Sequence, residues 1–258
     1  MDDLKTRIAA GHEIKNELTH QSVSDVSQLI LEILNESADA SNSNEFWNAT
    51  DLFRSLAIGS RNPTRIAEHF RKSYLAGEQR AIVEQLELGL SHANVFIRKH
   101  SIYTLGKIGS LKSVGEMLKA FDRAIQDDPV VLSRLVQEIR WIIGSVEEAH
   151  DYEGIYDQML ERLVESDSYL NRWIAVDIIQ SQSTMPGHRR DLLEKLGSDT
   201  HPFVRFPAAN KSQALKKRVY IELVTQAFPT KKAYSVAQFD RFVNEWVQEH
   251  APELIGTG

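Results

Sequence analysis

The sequence predicts an all-α protein, built as an α-solenoid in which helix pairs stack into a right-handed superhelix. Two observations support this prediction. Apolar and small residues at offsets of zero, four, eight and eleven recur four times along the chain, and these offsets put side chains on one face of a helix with about 3.6 residues per turn. No alternating apolar pattern of the length of a β-strand is found in the sequence.

The clearest copy of this pattern lies between Asn94 and Ser110. Asn94 is a favourable residue for the start of a helix. One helical face is then formed by Ile97, Ser101, Leu105 and Ile108. Gly106 and Gly109 predict that the helix ends in a left-handed cap.

The same offsets occur in three later segments. They comprise Val131, Leu135, Ile139 and Ile142, then Leu170, Ile174, Ile178 and Ser181, and finally Val204, Ala208, Ser212 and Leu215. The first members of the four copies, at positions 97, 131, 170 and 204, are 34, 39 and 34 residues apart, near the short end of the range for helix-pair repeats. A helix pair cannot bury its own apolar face alone, so we expect these faces to be buried between stacked pairs.

The sequence predicts a single α-solenoid domain over residues 1–258. Residues 1–77 form divergent N-terminal helices in this interpretation, residues 78–217 form the regular pairs, and residues 218–258 form capping helices and a tail. Residues 35–44 are small and polar, which predicts an exposed loop.

Composition narrows the possible functions. The chain has 258 residues, of which 42% are hydrophobic and 26% charged, as in ordinary globular proteins. The absence of cysteine excludes disulfides, thiolate metal sites and cysteine nucleophiles. No apolar run has the length of a membrane span, and the N-terminus lacks the features of a signal peptide. We therefore expect a cytoplasmic protein without a membrane partner.

The charge is acidic overall but uneven. A formal net charge of −6 argues against a general nucleic-acid binder, because neutralisation of phosphates usually dominates that affinity. Residues 147–167 contain eight acids against Arg162 alone, whereas residues 188–232 contain ten Lys or Arg against four acids. Two interpretations remain open: solvated faces of neighbouring helices, or a polarised surface that attracts a charged partner.

Residues 97–109 follow the pattern Ile-Arg-x-x-x-Ile-x-x-Leu-Gly-x-Ile-Gly, which resembles the second helix of a HEAT-type repeat. In that class, second helices commonly line the concave surface, and an arginine just after the first apolar position commonly braces the adjacent turn. Arg98 and Arg205 occupy that position. The resemblance does not explain Arg134, Arg140 or Arg172 in this way, and it leaves them as candidates for contact with a ligand.

Aromatic side chains accompany several of these arginines. The predicted partner-binding residues on the concave face are Arg134, Arg140, Trp141, Arg172, Trp173 and Arg205. Arginine and tryptophan are frequent in protein-binding hot spots, and arginine suits carboxylates through paired hydrogen bonds. The sequence therefore favours a scaffold, adaptor or chaperone with an acidic protein partner and no cofactor over an enzyme. As solvated side chains, Arg134 and Arg172 should tolerate charge reversal.

Two further resemblances give alternative functions. Trp173, Asp177 and Arg205 are similar to the Trp, Asp and Arg that alkylpurine DNA glycosylases of HEAT-like fold use on their concave surface, which would make these residues catalytic. The pattern at 97–109 also resembles the repeats of the phycobilin lyase group, whose members attach, remove or handle bilins. Nine histidines are scattered without metal-binding spacing, so no metal site is predicted.

Overall fold

Helices account for all regular secondary structure in the part of the chain that the structure describes. The structure is a computed structural model, and it describes residues 2–12, 14, 17–58, 65–109, 111–145, 153–181, 187–201, 204, 205 and 208. The predicted all-α class is confirmed. The helices are α1 Asp2–Ala9, α2 Val23–Asp39, α3 Ser43–Ile58, α4 Arg65–Leu75, α5 Arg80–Gly89, α6 Val95–Ile108, α7 Leu111–Asp127, α8 Pro129–Ser145, α9 Glu153–Val164, α10 Tyr169–Gln180 and α11 Gly187–Gly197, with a 3₁₀ helix at Glu17–His20.

The chain divides into two compact units. The first contains Met1–Ala120 together with Glu138–Glu147, and the second contains Phe121–Gln137 together with Glu148–Gly258. The division falls within α7 and within α8, so each of these helices contributes to both units. The predicted capping helices in residues 218–258 lie outside the described residues.

Two sets of helices are in contact within the first unit. Helix α2 packs against α5, and the Ser113 hydroxyl of α7 donates a hydrogen bond to Glu87 of α5 (2.7 Å). Helix α3 packs against α6, and Lys107 of α6 pairs with Glu138 of α8 (3.4 Å). These contacts join α3, α6 and α8, and the candidate site is built on them.

In the second unit, ion pairs join α7, α9 and α11. Arg162 of α9 bonds to Asp122 of α7 (2.6 Å), and Arg189 of α11 bonds to Asp157 of α9 (2.7 Å). Helix α10 packs against both α9 and α11.

The apolar residues predicted to lie between helices are buried. Those with the strongest prediction are Ile97, Leu105, Val131, Leu135, Ile139, Leu170 and Ile178, and none exposes more than 2% of its surface. Val204 and Ala208 of the last copy are buried as well, whereas Ser212 and Leu215 lie outside the described residues. Two members of the pattern are exceptions, since Ile108 is half-buried and Ser181 is exposed. The recurring offsets therefore identify most, but not all, core positions correctly.

Helix α6 begins and ends as its sequence predicts. The Asn94 side chain accepts a hydrogen bond from the Phe96 amide (2.9 Å), and Gly109 ends the helix in the left-handed region with φ of 70°. Gly106 has a different role from the predicted one, because it lies inside the helix, against the side chain of Glu138. A methyl carbon on Gly106 would lie 2.5 Å from Cβ and 2.7 Å from Cγ of Glu138.

This close approach predicts opposite effects for two helical glycines. Gly106→Ala should destabilise the protein by about 1–3 kcal/mol, because Cβ of Glu138 is fixed by its backbone and α8 would have to move. Gly115→Ala on α7 has open space around the new methyl group, so we expect it to stabilise by about 0.5–1 kcal/mol through helix propensity. Urea unfolding measures both; equal effects of the two changes would contradict the packing described here.

The predicted loop at residues 35–44 is shorter than expected. Helix α2 continues to Asp39 and α3 begins at Ser43. Ser37 is fully buried, and its hydroxyl donates to the Ile33 carbonyl one turn earlier (2.5 Å). A serine that bonds to its own helix in this way gives no reason to end the helix, so the polar composition was misleading.

Candidate functional site

Six side chains from α3, α6 and α8 form one continuous cluster in the first unit. They are Trp47 and Arg54 of α3, His100, Tyr103 and Lys107 of α6, and Trp141 of α8. We call this cluster the aromatic–cationic surface. The helices position it because α3, α6 and α8 lie side by side and each contributes at least one aromatic ring.

The centre of the surface is a stack of rings that carries an arginine. Trp47 lies 4.7 Å from the His100 ring and 5.9 Å from the Tyr103 ring, centroid to centroid. The guanidinium of Arg54 lies over Tyr103 at 4.8 Å and donates a hydrogen bond to its hydroxyl (2.8 Å). Arg54 also pairs with Asp51 one turn earlier. These contacts hold both rings and the guanidinium in fixed positions.

Lys107 extends the surface to α8. Its ammonium lies 5.5 Å from the centroid of Tyr103 and 4.4 Å from that of Trp141, distances at which a cation is attracted to the ring faces. The same ammonium pairs with Glu138, whose carboxylate is buried. The buried Glu138 carboxylate thus keeps the lysine in place.

Trp141 is the most accessible member. It is 54% exposed, and it is the one aromatic side chain among the large exposed apolar residues of the described part. Trp47, Arg54, His100, Tyr103 and Lys107 are half-buried. An exposed tryptophan costs free energy in a monomer, and one that its neighbours orient is suited to contact with another molecule.

The predicted binding residue Arg172 lies elsewhere, in the second unit, and is not a solvated arginine. Its guanidinium makes two bonds to the carboxylate of Asp199 (2.6 and 3.2 Å), and Asp199 has only 8% of its side chain exposed. The Arg172 guanidinium also donates hydrogen bonds to the carbonyls of Ser166 and Asp167 (2.7 and 2.9 Å). Arg172 therefore braces a turn and joins it to the next one.

Arg172 makes the same local bonds as Arg98 and Arg205. In each case Nη1 donates to the carbonyls six and five residues earlier, which are those of His92 and Ala93, Ser166 and Asp167, and Asp199 and Thr200. The turn-bracing role predicted for Arg98 and Arg205 is confirmed. Arg172 in addition bonds to an acid, Asp199.

The equivalence also corrects the predicted register in α10. If Arg172 matches Arg98, then Asn171 and not Leu170 stands where Ile97 stands in α6. Asn171 is buried, and its side-chain amide donates to the Ile125 carbonyl (2.8 Å) and to the Ser166 hydroxyl (2.9 Å). A polar residue whose donors are bonded can replace an apolar one at a core position, and an apolar pattern does not detect it.

Asp199 and His201 interact electrostatically with the arginines that brace these turns. Burial raises the pKa of Asp199, but the bonds from Arg172 and from the His201 amide outweigh it, so the net pKa is below its ordinary value. The His201 ring stacks on Tyr169 at 3.8 Å. Burial lowers the pKa of His201 to about 4. Repulsion from the nearby arginines also lowers it, whereas attraction to Asp199 raises it. His201 is therefore neutral at pH 7 and unsuited to proton transfer there.

The remaining predicted site residues are distributed between core and surface. Trp173 is only 7% exposed and packs in the core, whereas Asp177 is half-buried on the same helix. Arg205 is held by the Asp199 and Thr200 carbonyls. Arg134 and Arg140 are half-buried. Of the six predicted partner-binding residues, Trp141 alone belongs to the aromatic–cationic surface.

The two oppositely charged runs pair with each other where they are described. Arg189, His188 and Lys195 of α11 face Asp157, Glu161 and Glu165 of α9 at 2.7, 3.1 and 3.5 Å. These pairs support the interpretation that the two charged runs are faces of neighbouring helices. The rest of the basic run lies outside the described residues.

The sequence carries a signal for members of the aromatic–cationic surface that were not predicted. Trp47 and Arg54 are seven residues apart on α3, and Tyr103 and Lys107 are four apart on α6, spacings that put each pair on one helix face. Each pair combines an aromatic ring with a cation. The signal becomes informative only once α3 is known to lie beside α6.

Other kinds of site have no support in the described residues. Within them, no group of three His, Cys, Asp or Glu side chains is placed to hold a metal ion. Among the helices that the structure describes, none combines the length and the apolar character needed to cross a membrane. Comparison of the chain with family models, curated proteins and solved structures gives no match.

Proposed function

We propose that this protein is a scaffold, adaptor or chaperone of HEAT-like helix pairs, and that it binds a protein partner through the aromatic–cationic surface. The observation that carries the proposal is the exposed Trp141 ring, held by Lys107 at the end of a chain of stacked aromatic and cationic side chains. The arrangement of α3, α6 and α8 supports a solenoid in which second helices share one binding face.

Binding through this surface has a low entropic cost. A partner must order flexible side chains at an interface, at about 0.5–1.5 kcal/mol for each one. Arg54 is already held by Tyr103 and Asp51, and Lys107 is held by Glu138. Since these side chains are ordered before binding, contact with them costs less entropy than contact with solvated arginines and lysines.

The glycosylase alternative has weaker support. It requires Trp173, Asp177 and Arg205 to approach a nucleotide on an accessible surface. Trp173 is in the core, and Arg205 bonds to backbone carbonyls. No described contact favours bilin handling over protein binding.

Capture of the partner tests this proposal. The immobilised chain should retain a protein from an extract of its native cell, and Trp141→Ala should reduce that capture by about tenfold or more, as expected for a hot-spot tryptophan. Trp141→Phe should recover part of it. The matched control is Leu88→Ala, because Leu88 is 70% exposed and makes none of the contacts of the aromatic–cationic surface.

Thermal unfolding of all three variants shows whether they remain folded. If Trp141→Ala captures as much partner as the unchanged chain, or if Leu88→Ala causes the same loss, the surface is not the binding site.

A further inference from the structure

We infer that Glu138 is a positioning residue of the aromatic–cationic surface, which fixes the Trp141 ring through Lys107 instead of stabilising the fold. The inference rests on the proposed function for the role of this surface. It adds a residue that affects partner binding without contact with the partner, because Glu138 is only 2% exposed.

The burial of Glu138 is costly for the fold. Glu138 is the one acidic residue of α8, and its neighbours on that helix include the fully buried Leu135 and Ile142. A carboxylate that leaves water loses its hydration, and a partner cation often does not compensate for that loss. A gain in stability therefore does not explain why a carboxylate lies at this position.

The contact between α6 and α8 restricts the Glu138 side chain. The backbone of α6 at Gly106 lies against it so closely that a methyl carbon on Gly106 would be 2.5 Å from Cβ and 2.7 Å from Cγ of Glu138. Lys107 follows Gly106 in the chain, and its ammonium is 3.4 Å from the Glu138 carboxylate. The carboxylate is thus a fixed point for the lysine.

Lys107 transmits this fixed position to the exposed ring. Glu138 and Trp141 are three residues apart on α8, a spacing that puts them on one helix face. The Lys107 ammonium lies 4.4 Å from the centroid of Trp141 and 5.5 Å from that of Tyr103, within the range of attraction to ring faces. A lysine without a fixed partner adopts many rotamers, so the Trp141 ring would lose this contact for part of the time.

The two members of the ion pair differ in their access to water. The side chain of Lys107 is 28% exposed, and that of Glu138 is 3% exposed. Without Glu138, the ammonium can turn into solvent. Without Lys107, the carboxylate stays buried and loses this cation, which destabilises the fold. A pair that served stability alone would be damaged by the loss of either member.

Fluorine NMR of the chain labelled with fluorotryptophan tests the inference without a partner. The chain has four tryptophans, and Trp141→Phe and Trp173→Phe identify two of the signals. In Glu138→Met, which replaces the carboxylate by an apolar side chain of similar size, we expect the Trp141 signal to narrow and to move toward that of a solvated indole. The signal of Trp173, which is in the core of the second unit, should not change.

Urea unfolding separates positioning from a structural role. Lys107→Met should raise the equilibrium constant of unfolding by about tenfold or more, because it leaves the Glu138 carboxylate buried without this cation. Glu138→Met should not raise it.

Capture of the native partner measures the effect on binding. Glu138→Met should weaken capture by about two- to tenfold, as expected when one more side chain must be ordered on binding. Glu138→Gln keeps an oxygen that can accept a hydrogen bond from Lys107, so its effect should be smaller. The matched control is Glu116→Met, which removes the acid of an exposed pair with Lys119 within α7 and should leave capture unchanged.

Three outcomes overturn the inference: a Trp141 signal that does not change in Glu138→Met, equal destabilisation by Lys107→Met and Glu138→Met, or capture by Glu138→Met that equals capture by Glu116→Met while Trp141→Ala still reduces it. If Trp141→Ala leaves capture unchanged, the proposed function fails instead. The fluorine signal then still decides whether Glu138 fixes the ring.

Discussion

Arg172→Glu should destabilise the protein by about 3–5 kcal/mol, the cost of breaking a buried ion pair. The change removes both bonds to the buried Asp199 carboxylate and puts a second carboxylate beside it. The bonds to the Ser166 and Asp167 carbonyls are lost as well. In contrast to the expectation from the sequence, we therefore expect that Arg172 does not tolerate charge reversal, because this side chain is a structural brace.

Arg190→Glu is the matched control for this prediction, because Arg190 is exposed on α11. A surface charge away from such features should change stability by no more than about 0.5 kcal/mol. Urea unfolding of both variants measures these changes in stability. An exposed ion pair contributes at most about 1 kcal/mol. A smaller loss than this for Arg172→Glu would mean that the pair with Asp199 does not hold the turns together.

Leu105→Ala should cost about 2–5 kcal/mol, through lost transfer free energy and the cavity that remains. Leu105 is fully buried in α6, the helix that carries three members of the aromatic–cationic surface, so the site should lose rigidity as well. Leu88→Ala removes the same atoms from an exposed position and should have little effect. Urea unfolding that is unchanged by Leu105→Ala would contradict the predicted repeat register.

The sequence was sufficient for most of the helices and for most of their buried positions. The offsets around Ile97 and Val131 identify core positions because a solenoid-like face needs apolar side chains at helical spacing. Asn94 and Gly109 predict the limits of α6 because each has a local capping preference. These features depend on neighbours within a few residues, which a pattern can detect.

The role of Arg172 depends on a contact that no local pattern contains. Its partner Asp199 is 27 residues later, and its place in the repeat is obscured because Asn171 replaces an apolar residue. The apolar offsets align Leu170 with Ile97 and so displace the arginine by one position. A one-residue shift turns a bracing side chain into an apparent surface one.

The aromatic–cationic surface was predicted only at Trp141 for a similar reason. Its members extend from Trp47 to Trp141 and come from three helices. Each helix alone shows an aromatic residue and a cation at helical spacing, a common arrangement. The site exists because α3, α6 and α8 are neighbours, and that proximity is a property of the fold.

Oxidative footprinting of the captured complex tests the central claim most directly. Hydroxyl radicals modify exposed tryptophan, and mass spectrometry measures the rate at Trp141 with and without the bound partner. If the aromatic–cationic surface is the binding site, modification of Trp141 slows in the complex while modification of the exposed Leu88 does not change. An unchanged rate at Trp141, with protection at Leu88, would place the partner elsewhere and contradict the account.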